Sequence, residues 1–318
     1  MLVHIGRIVN KKMLGKYAVP AFNTQDLETT LGIIRAAEAQ KAPIIIQTSV
    51  GALEYAGIEE LVGLIKTAAR EAKVPIALHQ DHCHDFSLIK KLINLGYSSV
   101  MIDASHLPYK ENLKLTKQVV SYAHKRGVWV QAELGRILGS EDWQTVKSGD
   151  DLMTDPDEAA DFVKQTRIDT LAVALGSVHG IPVNPKIKKI LSTLKEHINL
   201  KRLREIRKKV SIPLVVHGAS GVPDPQIRAA VKQGVAIFNI DTDLRVAFNK
   251  ALRSNIKNNP QIYDPRKLFA PATDALQKEA EHKIKLLKSN GRARLSSRTE
   301  ILGSSKKILK QVQDDVEK

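Results

Sequence analysis

Apolar and polar positions along the chain keep a regular beat: short, β-branched apolar runs alternate with longer segments whose apolar residues recur at helical spacing. The beat predicts eight strands, at residues 17–23, 43–49, 75–82, 99–105, 128–135, 170–176, 213–220 and 236–243. Helices are predicted to follow near 26–40, 58–72, 87–95, 109–125, 156–165, 200–209, 225–233 and 244–255. Thr154-Asp155-Pro156-Asp157 and Pro223-Asp224-Pro225 read as helix starts, with a capping acid beside a proline that suits the first turn. The runs at 44–47 and 214–217 are continuous rather than alternating, the pattern of parallel strands covered on both faces. Eight βα units in about 250 residues predict an α/β fold, a closed (β/α)8 TIM barrel, with a doubly wound open sheet as the runner-up.

Two stretches break the beat. Residues 136–151, with Gly139, Ser140, Gly149 and several acids, predict a long mobile loop, and 180–200 is rich in proline and lysine. Beyond Gly291 the chain is polar, so the division is a single barrel domain over 1–290 and a polar, basic tail over 291–318 that is loosely held.

Composition narrows the classes. With 318 residues, 43% hydrophobic and 26% charged, the chain is ordinary for a globular protein. It has no apolar run long enough to span a membrane and no signal-peptide pattern, which predicts a cytoplasmic protein without a membrane partner. The single cysteine, Cys83, excludes an intramolecular disulfide and fits a reducing compartment. A net charge of +15 raises a polyanion partner, but the basic residues are scattered among acids and aromatics are only 4%. Nucleic-acid binding on a basic barrel surface is therefore kept only as an alternative of another class.

In such barrels the active site lies at the C-terminal ends of the strands, so the residues that end each strand carry the chemistry. Here they are Asn23, Ser49, Asp81 with His82, Asp103, Glu133, Ser177 with His179, His217, and Asn239 with Asp241. Three histidines on three strand ends, His82, His179 and His217, give the ligand count of a catalytic zinc site with one position open. His84 reads as solvent-facing or structural, Cys83 as a small buried residue, and His79 as packing within or behind the barrel; His106 has a similarly plain reading. Gly218, Ser220 and Gly221, together with Thr242, stand where backbone amides and hydroxyls commonly cradle a phosphate.

These residues bring a resemblance into view. From about Val19 to about Lys288, through AFN, IIIQTS, LHQDH, VMIDASH, AELG, GSVHG, VVHGASG, NIDTD and DPRK, the sequence resembles the class II, zinc-dependent ketose-bisphosphate aldolases. The resemblance implies a (β/α)8 barrel assembled as a homodimer or homotetramer, a phosphorylated sugar substrate and a Zn²⁺ cofactor, with room for a monovalent cation. It implies His82, His179 and His217 as zinc ligands, Asp81 as the acid/base at the carbon-4 hydroxyl, and Glu133 and Asp103 on an alternative metal position. Glu141 would exchange a proton at carbon 3. Gly180, Gly218, Ser220 and Thr242 would cradle phosphate, Asn23, Ser49, Asn239 and Asp241 would contact substrate, and Arg266 would reach a neighbouring subunit's phosphate. The usual lysine close behind His179-Gly180 is missing or displaced, with Lys186 as a substitute. Fructose 1,6-bisphosphate is the expected substrate and tagatose 1,6-bisphosphate the alternative, with Asp241 leaning toward fructose. A Schiff-base aldolase is disfavoured because no predicted strand end carries a lysine.

Overall fold

The computed structural model describes residues 1–135, 138–141, 144–146, 153–179 and 198–293, with the backbone alone at 138–141, 144–146 and 178–179. The strands are β1 Val19–Asn23, β2 Ile44–Thr48, β3 Ile76–Cys83, β4 Ser99–Ile102, β5 Trp129–Leu134, β6 Leu138–Glu141, β7 Gln144–Val146, β8 Thr170–Val173, β9 Val178–His179, β10 Leu214–Val216 and β11 Val235–Ile240. Eight of them close a barrel in the order β1-β11-β10-β8-β5-β4-β3-β2, and every pair within it is parallel. This is the (β/α)8 arrangement read from the sequence.

The helices are α1 Leu27–Gln40, α2 Val50–Ala56, α3 Ile58–Glu71, α4 Phe86–Asn94, α5 Tyr109–His124, α6 Pro156–Thr166, α7 Leu200–Lys209, α8 Asp224–Lys232, α9 Thr242–Asn258 and α10 Pro265–Leu286. Local chemistry starts them: Asp26 caps α1 in a reciprocal box with Thr29, and Asp155 caps α6 just before Pro156. Two helices, α2 and α10, carry no counterpart in the sequence reading. Residues 136–151, expected as one long loop, are corrected by the structure: β6 and β7 pair antiparallel there, and β9 joins β6 in parallel with Gly139 opposite His179. Strand pairing satisfies backbone groups that a bare loop would leave to water. The tail from 294 onward lies outside the described residues.

Two apolar clusters hold the barrel. The outer one packs Phe22, Ile46, Leu78, Ile102, Val130, Val216 and Phe238 against the helices. The inner one fills the barrel itself with Ile45, Ala77, Met101, Ala172, Val215 and Ile237, and Ile5, Ile8, Val9 and Met13 of the N-terminal turns close its base. Along the inward-facing positions of the same strands, the next residues are Gln47, His79 and His217, all buried. No helix among the described residues is long and apolar enough to cross a membrane.

Candidate active site

Strict alternation would send Asp81 and His82, neighbours on β3, to opposite faces of the sheet. The strand breaks that rule where it matters. The pairing of β3 with β4 shifts register between Gln80 and Cys83, and His82 has φ +36°, a left-handed conformation unusual for a side chain with a Cβ. The bulge brings both residues into one cluster with His217, each offering a ligand atom within 4.8 Å of the others. A strained backbone of this kind costs roughly 1–3 kcal/mol and persists where its surroundings over-determine it.

Asp81 is 2% exposed, so its charge depends on hydrogen bonds that replace water. Asn23 Nδ2 and Gln47 Nε2 donate to its Oδ2 at 2.9 and 2.8 Å, and Asn239 Nδ2 donates to Oδ1 at 3.0 Å. Gln47 also donates to Asn23 Oδ1 at 2.6 Å, tying two of these amides together. The carboxylate is thus fixed by neutral donors from β1, β2 and β11, with no cation among these bonds to lock it as an ion pair. Its Oδ1 lies 4.0 Å from His82 Nε2.

The imidazoles are oriented from behind. His82 Nδ1 is 2.7 Å from Asp103 Oδ2. Burial alone would raise the Asp103 carboxyl, but the hydrogen bond and charge of His82 and the donors of Ser105 outweigh it and hold it far below the usual carboxylate range. Asp103 is therefore an acceptor and His82 Nδ1 the donor. His217 Nε2 is 2.9 Å from Gln131 Oε1, an acceptor, which places the proton on Nε2. Asn239 Nδ2 is also 3.2 Å from that nitrogen, but its shorter bond runs to Asp81. The inner nitrogens, His82 Nε2 and His217 Nδ1, then face each other at 2.7 Å with a lone pair each, the rings edge-on at 88°.

Two lone pairs at that distance repel unless a cation lies between them. The donor set therefore fits a divalent metal ion, with neutral imidazoles whose outer nitrogens are held by second partners as metal-bound histidines are. Glu133, 3% exposed, brings Oε2 to 3.9 Å from His217 Nδ1 and groups with His82 and Asp103 in a second possible ligand set. Ser177, buried, donates to the His217 carbonyl at 2.8 Å and so joins the sixth barrel strand's end to the seventh's.

Around this cluster the other expected residues take several positions. Gly218 and Gly221 have φ +60° and +84°, so the turn after β10 needs residues without a Cβ. Ser220 Oγ accepts from Asp243 N at 3.2 Å, which fastens that turn to the start of α9. Thr242 opens α9, and Asp241 pairs with Arg245 at 2.7 Å. Ser49, expected at a substrate contact, caps α2, its Oγ accepting from Ala52 N at 3.2 Å. Arg266 is 90% exposed and pairs with Asp264, so this chain does not bring it to its own cluster. For His179 and Glu141 the structure gives backbone only, on paired strands; their side chains, and Gly180 and Lys186, lie outside the described residues.

Sequence reasoning passed over Gln47 and Gln131, both buried in strands and both holding site residues. Their only signal was a polar residue at an inward-facing position of an otherwise apolar run. His79 lies inside the barrel, its Nδ1 2.9 Å from Ser99 Oγ, and burial, then the charge of His82, push its imidazole down to about 3.

The chain matches known proteins over most of its length. The profile of the family described as fructose-bisphosphate aldolase class-II matches residues 3–292. The fructose-bisphosphate aldolase of Geobacillus stearothermophilus is 41% identical over 295 residues, covering 92% of this chain and 99% of that one. Among solved structures, the YdjI aldolase of Escherichia coli K12 is similar with a TM-score of 0.78 at 34% identity, covering 92% of this chain and 100% of that one. The fructose-bisphosphate aldolase (Fba) of Campylobacter jejuni has a TM-score of 0.69 at 25% identity, covering 86% of this chain and 91% of that one. With a match of that extent over a barrel whose mouth carries this cluster, the chain belongs to the class-II fructose-bisphosphate aldolase family.

Proposed function

We propose that the protein is a metal-dependent aldolase that reversibly cleaves fructose 1,6-bisphosphate into dihydroxyacetone phosphate and glyceraldehyde 3-phosphate, with zinc as its metal. The observation that carries the reading is the pair of inner imidazole nitrogens, each tautomer set from behind, converging beside the amide-held carboxylate of Asp81. His82 and His217, with His179 as the third expected ligand, would hold a divalent ion that would supply Lewis-acid stabilisation of the negative charge left on the ketone half.

The chain's own residues do the rest. Asp81 takes the proton of the carbon-4 hydroxyl as the bond between carbons 3 and 4 breaks. The bonding pair passes to carbon 3, and carbon 4 becomes the aldehyde. A positioned carboxylate suits this, and Asn23, Gln47 and Asn239 keep its oxygens in place through the proton transfer. Glu141 is proposed to return a proton to carbon 3. The turn at Gly218–Gly221 and the start of α9 at Thr242 offer backbone amides to a phosphate, whose charge the helix N-terminus favours. Asn23, Ser49, Gly180, Asn239 and Asp241 complete the proposed substrate contacts, and Glu133 with Asp103 the proposed alternative metal position.

A homodimer or homotetramer is the proposed assembly, supported by the exposed apolar side chains Val246, Ile256 and Tyr263 on and after α9. A cytoplasmic place in sugar-phosphate breakdown and synthesis, and a barrel domain with a separate tail from 291, complete the reading. Rates on fructose and tagatose 1,6-bisphosphates, before and after removal of metal with a chelator, test it. Preference for the fructose epimer and loss of turnover restored by zinc are expected; turnover that survives complete metal removal would refute it.

A further inference from the structure

A second group of ligand atoms lies on the rim and shares Asp103 with the first. His84 follows the bulge at the end of β3 and is exposed; its Nδ1 donates to the backbone carbonyl of Asp103 at 2.5 Å. That bond leaves Nε2 as the lone-pair nitrogen. His106, three residues beyond Asp103 and also exposed, meets the His84 ring edge-on, with centroids 4.9 Å apart and planes at 88°. One ligand atom from each of His84, Asp103 and His106 lies within 4.8 Å of the other two.

We propose that His84, His106 and Asp103 form a second divalent transition-metal site at the barrel mouth, separate from the ion held by His82 and His217. Two imidazoles with one carboxylate select a borderline metal such as Zn²⁺, Ni²⁺ or Cu²⁺ over Mg²⁺ or Ca²⁺, which prefer oxygen. Edge-to-face packing of two rings requires no particular tautomer, whereas a main-chain carbonyl on Nδ1 is the support that aims the other nitrogen at a metal. The exposed rings can load an ion directly from solution. The buried carboxylate is already divided between two tasks: Oδ2 holds His82 at 2.7 Å, and Oδ1 accepts from Ser105 N at 3.1 Å and Ser105 Oγ at 2.7 Å. An ion at the rim displaces the Ser105 hydroxyl from Oδ1 and leaves the His82 bond in place. Asp103 then serves both sites, through Oδ2 as the acceptor that orients His82 and through Oδ1 as a ligand at the rim.

The site stands whichever sugar bisphosphate the enzyme cleaves. Its test is the full-length protein stripped of metal and titrated with Zn²⁺ or Ni²⁺, with bound metal counted after equilibrium dialysis. Wild type is expected to bind one ion per chain more than the H84N/H106N double variant, and either single variant to weaken that extra ion by about tenfold or more. Equal stoichiometry in wild type and double variant, at one ion or at two, overturns the proposal. A measurement on wild type alone guards against a variant that fails to fold: carbethoxylation of histidines, read by peptide mass spectrometry at one and at three equivalents of Zn²⁺. His84 and His106 are expected to become protected only with the additional metal; unchanged modification of both refutes the site.

Discussion

The lower and upper halves of the barrel interior are built from the same strands and differ by a two-residue step. Ile45, Ala77, Met101, Val215 and Ile237 fill the lower half, closed from beneath by Ile5, Ile8, Val9 and Met13. Two positions further along, the same strands present Gln47, His79, Asp103, His217 and Asn239, all buried. The lower half contributes stability by removing apolar surface from water. The upper half removes polar surface and offsets that cost through the linked hydrogen bonds of Asn23, Gln47, Asp81, Gln131, His217 and Asn239. Stability and chemistry are therefore separated along the barrel axis, and substitutions at the two ends should fail in different ways.

The largest effect belongs to the upper end. Asp81→Ala is expected to lower kcat by about 10³-fold or more while metal stays bound, since a general base contributes about 10²–10⁴-fold. His217→Ala should lose both metal and turnover. Metal content measured beside steady-state rates separates the two, and near-normal turnover in either variant would break the distinction. At the lower end, Ile45→Ala should cost about 2–5 kcal/mol in urea unfolding with kcat nearly intact. A lost kcat there would show that the halves are not independent.

A smaller effect is expected behind the site. Gln131→Leu removes the acceptor on His217 Nε2 and should weaken metal affinity by about 10–100-fold, with Gln131→Glu recovering much of it. Competition with a chromophoric chelator reads this directly. The smallest is a pH slope from His79. Its imidazole titrates near 3 when folded against about 6.5 in the unfolded chain, so the unfolded state binds the extra proton in between. Its contribution is fully present above about 6.5 and lost as pH falls toward 3, and His79→Gln should flatten the fall of stability over that window.

The barrel was legible because buried parallel strands leave continuous apolar runs, and each predicted strand start falls within two residues of the observed one. The helix α10 was not, because Pro271 lies inside it and interrupts the helical pattern. Asp81, His82, Asp103, Glu133 and His217 were readable as strand-end residues from type and place, and their ligand atoms do lie close together, whereas His179 falls on β9 outside the barrel. What stayed hidden was the register shift that turns His82 to the side of Asp81, since a bulge leaves no mark in hydrophobic alternation. Gln47 and Gln131 were missed for a related reason: an amide in a strand gains meaning only from the carboxylate or imidazole it faces.

The inner nitrogens of His82 and His217 are proposed to meet on one divalent ion. Zinc K-edge X-ray absorption of the zinc-loaded enzyme tests it most directly, alongside the His217→Ala variant. The expected spectrum shows an imidazole-nitrogen shell at about 2.0–2.1 Å in wild type, with the variant retaining no bound zinc. An oxygen-only shell, or imidazole scattering unchanged by the substitution, would contradict it.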